Sequence, residues 1–257
     1  MTSSQELYLE KLMSASKAAQ QIKDNSNLMI SMGVSMPPAL MQAVADRALG
    51  GDITCLKTYY MHASSHAGTT ILNPKVMSVI KPHSLFMSSH DRLIEKLGLE
   101  QGKRWLEYIP STFHQVGRLM SETLGADCFI ATVSPMDRHG YFSLGTNSDY
   151  GTTVARNCGK LIVEVNEEMP RVFGEALIHI SEVDAIVENN APLQEVLPSA
   201  PQQVDEVIAK QIVELIPDGA TIQMGVGGVP NAVASYLAGH NDLGLHSELL
   251  SPGIMDL

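Results

Sequence analysis

Apolar and polar positions along this chain fall into short runs that switch repeatedly between helical and extended periods. Residues 3–22 place Leu7, Met13 and Ala18 roughly on one helical face behind a Ser3/Glu6 pair with capping-box spacing, which predicts an opening helix. Residues 27–32 read as a short apolar strand that enters Gly33-Val34-Ser35-Met36-Pro37-Pro38 and a helix over 39–48. Gly50-Gly51 ends that helix, and 52–60 is the next strand. Further strands are predicted at 84–88, 128–133 and 160–165, separated by helical segments around 91–97, 114–124 and 150–158. Two more short strands, LIHI and AIVE, lie within 177–188. Short apolar strands alternating with helices imply a parallel sheet covered on both faces, an α/β fold.

Residues 189–203 carry three prolines and no apolar period, so they read as a linker. The expected division is a first α/β domain over 1–190 and, over 191–257, the linker with the start of a second one. A helix over 204–215 precedes the stretch from Ile222 to Asp256, IQMGVGGVPNAVASYLAGHNDLGLHSELLSPGIMD. There an apolar strand meets a glycine turn, a helix begins near Pro230, and a second strand is predicted over 244–250.

This stretch repeats the beginning of the chain. At a constant offset of 192, Ile30, Met32, Gly33, Val34 and Pro38 match identical residues Ile222, Met224, Gly225, Val226 and Pro230. The same offset sets Glu248 against Leu56, so only the second copy carries an acid there. The second copy stops at Leu257 directly after its second strand, and the sequence therefore reads as the N-terminal part of a longer protein.

Composition narrows the classes of function. The net charge of −11 argues against nucleic acid and anionic membrane surfaces as partners. No apolar run approaches the length of a membrane span, and the N-terminus lacks a signal-peptide pattern, which suggests a cytoplasmic protein. Cys55, Cys128 and Cys158 are odd in number and scattered, so neither a disulfide scaffold nor a zinc ribbon is expected. No metal site is expected either: His62 and His66 lack a third ligand and the glutamate of a zinc-protease helix. Ser88-Ser89-His90-Asp91 contains triad residue types, but sequence neighbours cannot form a triad, and no GxSxG elbow is present. The 14 methionines read as core filler, and Asp137-Arg138-His139-Gly140-Tyr141 as a polar loop that could line a cleft or simply turn.

Candidate chemistry centres on the glycine turn and Glu248. A strand leading through Gly225-Val226-Gly227-Gly228 into a helix start presents unpaired N–H groups that suit a phosphate or an oxyanion. Pro230 stands where a dinucleotide fingerprint needs its third glycine, and no Gly-Lys-Ser/Thr follows. The same glycines also suit a tight βα turn with no ligand. Strand alternation over 244–250 would project His246 and Glu248 from one side, roughly 7 Å apart. A solvent-facing strand-end carboxylate is the alternative for Glu248, against which stands its place at the carboxyl end of a strand beside the turn.

Four motifs then show a resemblance to a known family. They are Gln223-Met-Gly-Val-Gly-Gly-Val-Pro-Asn-Ala-Val233, the HSE-bearing run at 244–250, Val133-Ser-Pro-Met-Asp-Arg-His-Gly-Tyr-Phe-Ser-Leu-Gly145, and Val165-Asn-Glu-Glu-Met-Pro-Arg171. Across its whole length the chain resembles the acetyl-CoA hydrolase/transferase family, and most of all its branch acting on short-chain acids such as 4-hydroxybutyrate, butyrate or acetate. The resemblance implies two similar open α/β domains of the CoA-transferase type, the second incomplete here, and a homodimer. It implies Glu248 as catalytic residue and Gly225, Val226, Gly227, Gly228 and Val229 as the coenzyme A and oxyanion loop, with Gln223, Asn231 and His246 supporting. Asn231 departs from the family's frequent Pro-Asp-Ala.

The implied reaction is CoA transfer in which the Glu248 carboxylate attacks an acyl-CoA thioester, and a glutamyl-CoA thioester forms and passes CoA to a second acid. The turn amides would hold the oxyanion. Glu248 must be ionised, which an unperturbed pKa of about 4.3 ensures, so a partly polar cleft is expected. Acyl-CoA and a small carboxylic acid are the partners, coenzyme A is a substrate, and no cofactor is permanently bound. Acyl-CoA hydrolysis is the alternative activity, and a non-catalytic binding or assembly role for the fragment is a second.

Overall fold

A computed structural model of the chain describes residues 3–195, 200–255 and 257; residues 196–199 of the predicted linker and Asp256 lie outside them. The chain divides into two compact units, Met1–Gln194 and Glu195–Leu257.

Unit 1 contains strands β1 (Asn27–Ile30), β2 (Leu56–Tyr60), β3 (Ile80–Ser84), β4 (Glu107–Tyr108), β5 (Cys128–Val133), β6 (Tyr141–Ser143), β7 (Leu161–Val165), β8 (Leu177–His179) and β9 (Ala185–Glu188). Seven of them form one parallel sheet in the order β4-β3-β2-β1-β5-β7-β9, while β6 and β8 pair antiparallel. The helices are α1 (Ser4–Lys11), α2 (Ala15–Ala19), α3 (Pro38–Leu49), α4 (Ser65–Thr69), α5 (Ser89–Glu100), α6 (Val116–Arg118), which continues as a π turn over Leu119–Leu124, and α7 (Tyr150–Asn157).

Period-two alternation feeds two cores, one on each face of the sheet. Leu28, Ile30, Cys128, Ile130, Ile162, Ala185 and Val187 pack on one side with α2 and α3. Met29, Phe129, Ala131, Val133, Leu161, Val163 and Ile186 pack on the other with α6, α7 and the β6–β8 pair. Each fully buried aliphatic side chain contributes about 1.5–3 kcal/mol relative to exposure. The predicted α/β fold with a parallel sheet is the one observed.

Several boundaries differ from the sequence reading. The opening helix is two helices, because Leu12 bridges in parallel to Ile186 and the Met13 amide donates to the Ile186 carbonyl (2.9 Å). Ser14 then caps α2 by accepting from the Lys17 amide (3.3 Å). The strand expected at 84–88 ends at Ser84, since Ser88 forms a capping box with Asp91 at the start of α5. That box also accounts for Ser88-Ser89-His90-Asp91. The short edge strand β4 and the strand β6 were not predicted; two or three residues give too little period to register.

The motifs at 133–145 and 165–171 meet in this unit. Arg171 pairs with Asp137 (2.6 Å) and donates to the Tyr141 carbonyl (3.1 Å), and the Asn166 amide donates to the Val133 carbonyl (3.0 Å). The Asp137 loop is a turn in which its carboxylate accepts from the amides of His139 and Tyr141.

One cap has a pH signature. Asp149 caps α7 by accepting from the Gly151 amide (3.0 Å), and burial pushes its carboxyl up to about 6. The folded state then holds the proton more tightly than the unfolded state, so this contribution is complete below about pH 4 and is lost as pH rises through about 6. Asp149→Asn keeps a good cap and removes the titration. It is expected to gain about 1–2 kcal/mol over the parent at pH 7.5 and little at pH 4.5, as read by thermal melts at both values.

Candidate active site

Unit 2 is a small α/β layer of α8 (Gln203–Val213), β10 (Thr221–Ile222), α9 (Gly228–Tyr236) and β11 (Gly244–Leu245), with β10 and β11 parallel. Ala209 of α8, Ala232, Val233 and Ala234 of α9, and Leu237 pack with Met224 in its apolar core. All the predicted site residues lie in this unit.

The glycine turn sits between β10 and α9. Gly227 is the N-cap of α9 with φ 128°, a conformation that side chains other than glycine's rarely adopt. Gly228 has a different reason: a Cβ there would collide with the Asp205 carboxylate of α8. Gly225 and Gly227 face open space apart from ordinary contact with the Pro230 ring. Among the described residues, no acceptor is recorded for the amides of Gly225, Val226, Gly227, Gly228 or Val229. Val226 is 73% exposed. Five free donors at the positive end of a nine-residue helix make a site for a negative charge. The Asn231 amide is spent on the Gly227 carbonyl (3.2 Å), and Gln223 is exposed.

The second strand is shorter than expected. β11 ends at Leu245, because its partner β10 ends at Ile222, and the His246 amide makes the last bond of the ladder to the Ile222 carbonyl (3.0 Å). From there the Ser247 side chain replaces the ladder. Its hydroxyl donates to the Met224 carbonyl (2.9 Å) and accepts from the Met224 amide (3.3 Å). Glu248 thus stands in a bend, and the alternation that put His246 and Glu248 on one strand face does not apply. Both side chains are exposed. Ser247, which is not among the candidate residues of the sequence, fastens the Glu248 loop to the residue just before Gly225. The HSE spacing was the available signal for it.

The structure also corrects the mapping between the repeats. Partners in β1 and β2 are 30 residues apart, those in β10 and β11 only 23. With Ile222 on Ile30, Glu248 corresponds to Ala63, not Leu56, which lies buried in β2. Ser247 then corresponds to His62, whose carbonyl accepts from the Gly33 amide (2.8 Å). Both copies therefore tie the turn to the loop after the second strand.

What differs is whether the amides are free. In the first copy Gly33 donates to His62, Ser35 to Met32 and Met36 to Gly33, while Pro37 and Pro38 have no N–H. The next two amides, Ala39 (3.2 Å) and Leu40 (2.9 Å), donate to the buried carboxylate of Glu164 on β7. Glu164 also accepts from the Asn189 side chain (2.6 Å). At the first helix start the Ala39 and Leu40 amides are hydrogen-bonded by an internal carboxylate; at the second, where the Asp205 carboxylate lies against Gly228, no acceptor is recorded for the turn amides among the described residues.

Elsewhere the candidate residues stay structural. His62 stacks on Phe86 (5.6 Å), and the His66 carbonyl accepts from the hydroxyls of Thr69 and Thr70. Among the described residues no group of three His, Cys, Asp or Glu could hold a metal ion, and no helix is long and apolar enough to cross a membrane.

Comparison with known proteins places this geometry in a family context. A sequence profile of the acetyl-CoA hydrolase/transferase N-terminal domain matches residues 1–198. The chain is 32% identical over 257 residues to 4-hydroxybutyrate coenzyme A transferase of Clostridium kluyveri, covering 98% of this chain and 57% of that protein. It superposes on RipA from Yersinia pestis with a TM-score of 0.96 at 47% identity, covering 100% of this chain and 60% of the other. A 4-hydroxybutyrate CoA-transferase of Porphyromonas gingivalis aligns with a TM-score of 0.82 at 29% identity, over 98% of this chain and 57% of that one. The chain thus spans little more than half the length of the relatives it matches.

Proposed function

Since the profile match places the chain in the acetyl-CoA hydrolase/transferase family, we propose that it carries the nucleophile and oxyanion loop of a CoA-transferase acting on a short-chain carboxylic acid. The observation that supports this most is the row of five unpartnered amides at residues 225–229, with the Glu248 loop fastened beside it through Ser247. We read unit 2 as the beginning of a second α/β domain. The reading makes the enzyme cytoplasmic and homodimeric, with acyl-CoA and a free acid as substrates and no permanent cofactor.

In the proposed sequence, the Glu248 carboxylate attacks the thioester carbonyl, the C–S bond breaks, and an acyl–glutamyl anhydride and CoA thiolate result. The thiolate attacks the glutamyl carbonyl of the anhydride and releases the first acid, leaving glutamyl-CoA. A second carboxylate attacks that thioester, and the freed thiolate takes the new acyl group and restores Glu248. Each attack places negative charge on a carbonyl oxygen. Fixed backbone donors stabilise it without reorganising, and each well-aimed donor is worth about 10²–10³ in rate. Remote contacts to coenzyme A supply further barrier reduction.

In the whole protein, initial rates with acyl-CoA and acid both varied are expected to give parallel double-reciprocal lines. Intersecting lines would mean a ternary complex and would contradict the covalent route. Sustained CoA release with no acid present would instead assign the hydrolase activity.

A further inference from the structure

Unit 1 carries a cationic groove that the proposed reaction does not use. It lies at the amino ends of β3 and β4, between the 3-10 turn Pro74–Val76 with the Met77-Ser78 segment that follows it and the segment joining α5 to β4. Open α/β sheets place substrates at the carboxyl ends of their strands, so this is the other edge of the sheet. The groove has a volume of about 640 Å³, within the range of small-molecule sites. Lys75, Lys81, Lys103 and Arg104 line it, and no acidic residue does. In a chain of net charge −11 with only 17 Lys and Arg, that concentration runs against the overall balance.

Two of the four cations are engaged. Lys81 donates to the carbonyls of Met77 (3.3 Å) and Ser78 (3.0 Å), and Arg104 pairs with Glu107 (2.7 Å). No partner is recorded for the ammonium groups of Lys75 and Lys103 among the described residues. Trp105, the single tryptophan of the chain, also lines the groove; it is half-buried and packs in part against the core of unit 1.

We propose that this groove binds a nucleoside polyphosphate, with Lys75 and Lys103 on the phosphates and the base against Trp105. A phosphate chain supplies the charge that the two free ammonium groups lack, and a purine supplies a flat apolar surface for an indole. Nucleic acid fits worse: four cations release few counterions, and the acidic chain repels a long polyanion.

Trp105 offers a local optical readout, because it is the one tryptophan within residues 1–257 and it lines the groove. The full chain is titrated separately with ADP, pyrophosphate and adenosine at low salt. ADP is expected to change the emission saturably, pyrophosphate to compete with it, and adenosine to bind at least about tenfold more weakly. The Lys75→Glu/Lys103→Glu variant, its fold confirmed by circular-dichroism melts, is expected to bind ADP at least about tenfold more weakly. Calorimetry provides a readout independent of the indole. The absence of a saturable ADP response, a response that survives the double charge reversal, or preference for poly-glutamate over ADP would each overturn the proposal. Because ADP is also a fragment of coenzyme A, the response lost on charge reversal at Lys75 and Lys103 is the one that reads the groove, and it stands or falls apart from the transferase reading.

Discussion

Glu248→Ala is expected to lower CoA transfer by the whole protein by about 10⁴-fold or more, because no other group replaces a covalent nucleophile. The fold should survive intact. Glu248 is exposed and makes no recorded hydrogen bond or ion pair, so its loss falls in the range of surface substitutions, within about 0.5 kcal/mol. Glu248→Asp keeps the charge but withdraws the carboxylate by one methylene, and a displacement of that size costs roughly 10²-fold. Together the two variants separate a nucleophile from a charge that merely shapes the local field. If either variant kept parental turnover with an unchanged melt, the nucleophile would have to be sought elsewhere.

The largest expected effect on stability comes from Glu164, which touches none of the residues proposed for chemistry. Its carboxylate is fully buried; burial pushes its pKa up, while hydrogen bonds from Asn189, Leu40 and Ala39 pull it down. Glu164→Ala leaves the buried Leu40 amide and the part-buried Ala39 amide and Asn189 side-chain amide without an acceptor. The expected loss is about 3–5 kcal/mol, the range for removing one partner of a buried charged network. In a unit of this size that lowers Tm by roughly 10 °C. Glu164→Gln should recover only part of the loss, because its NH₂ group would face one of the converging donors. A melt of Glu164→Ala indistinguishable from the parent would show that water satisfies these amides, and that the first helix start is not held by its internal anion.

The main lines of this architecture were legible in the chain because β5 and β9 are runs bounded by turn residues, and because the first helix start, at Ser3, carries its own capping box; the Ser88 cap was not, since it read as the end of a strand. Motif and position singled out Glu248 and the glycine turn, and the structure brings the Glu248 loop to the turn through Ser247. Constant-offset matching could not see that the second copy is seven residues shorter between its strands, which moved the counterpart of Glu248 from Leu56 to Ala63. Strand alternation failed beyond Leu245 because a side chain, Ser247, took over bonds that a ladder would have made. Glu164 gave no sign in an otherwise apolar strand. Its partners on α3 lie 124 and 125 residues away, beyond any local pattern. The contrast between the two helix starts therefore emerges only from the folded chain.

The central claim is that Glu248 becomes covalently attached to coenzyme A, and mass spectrometry of the whole protein during turnover tests it most directly. Incubation with acyl-CoA, rapid quenching and peptide mapping should place a CoA adduct on the peptide carrying Glu248. The adduct should vanish when excess acid acceptor is added and be absent from Glu248→Ala. An unmodified Glu248 peptide in an enzyme shown to be turning over would contradict the account.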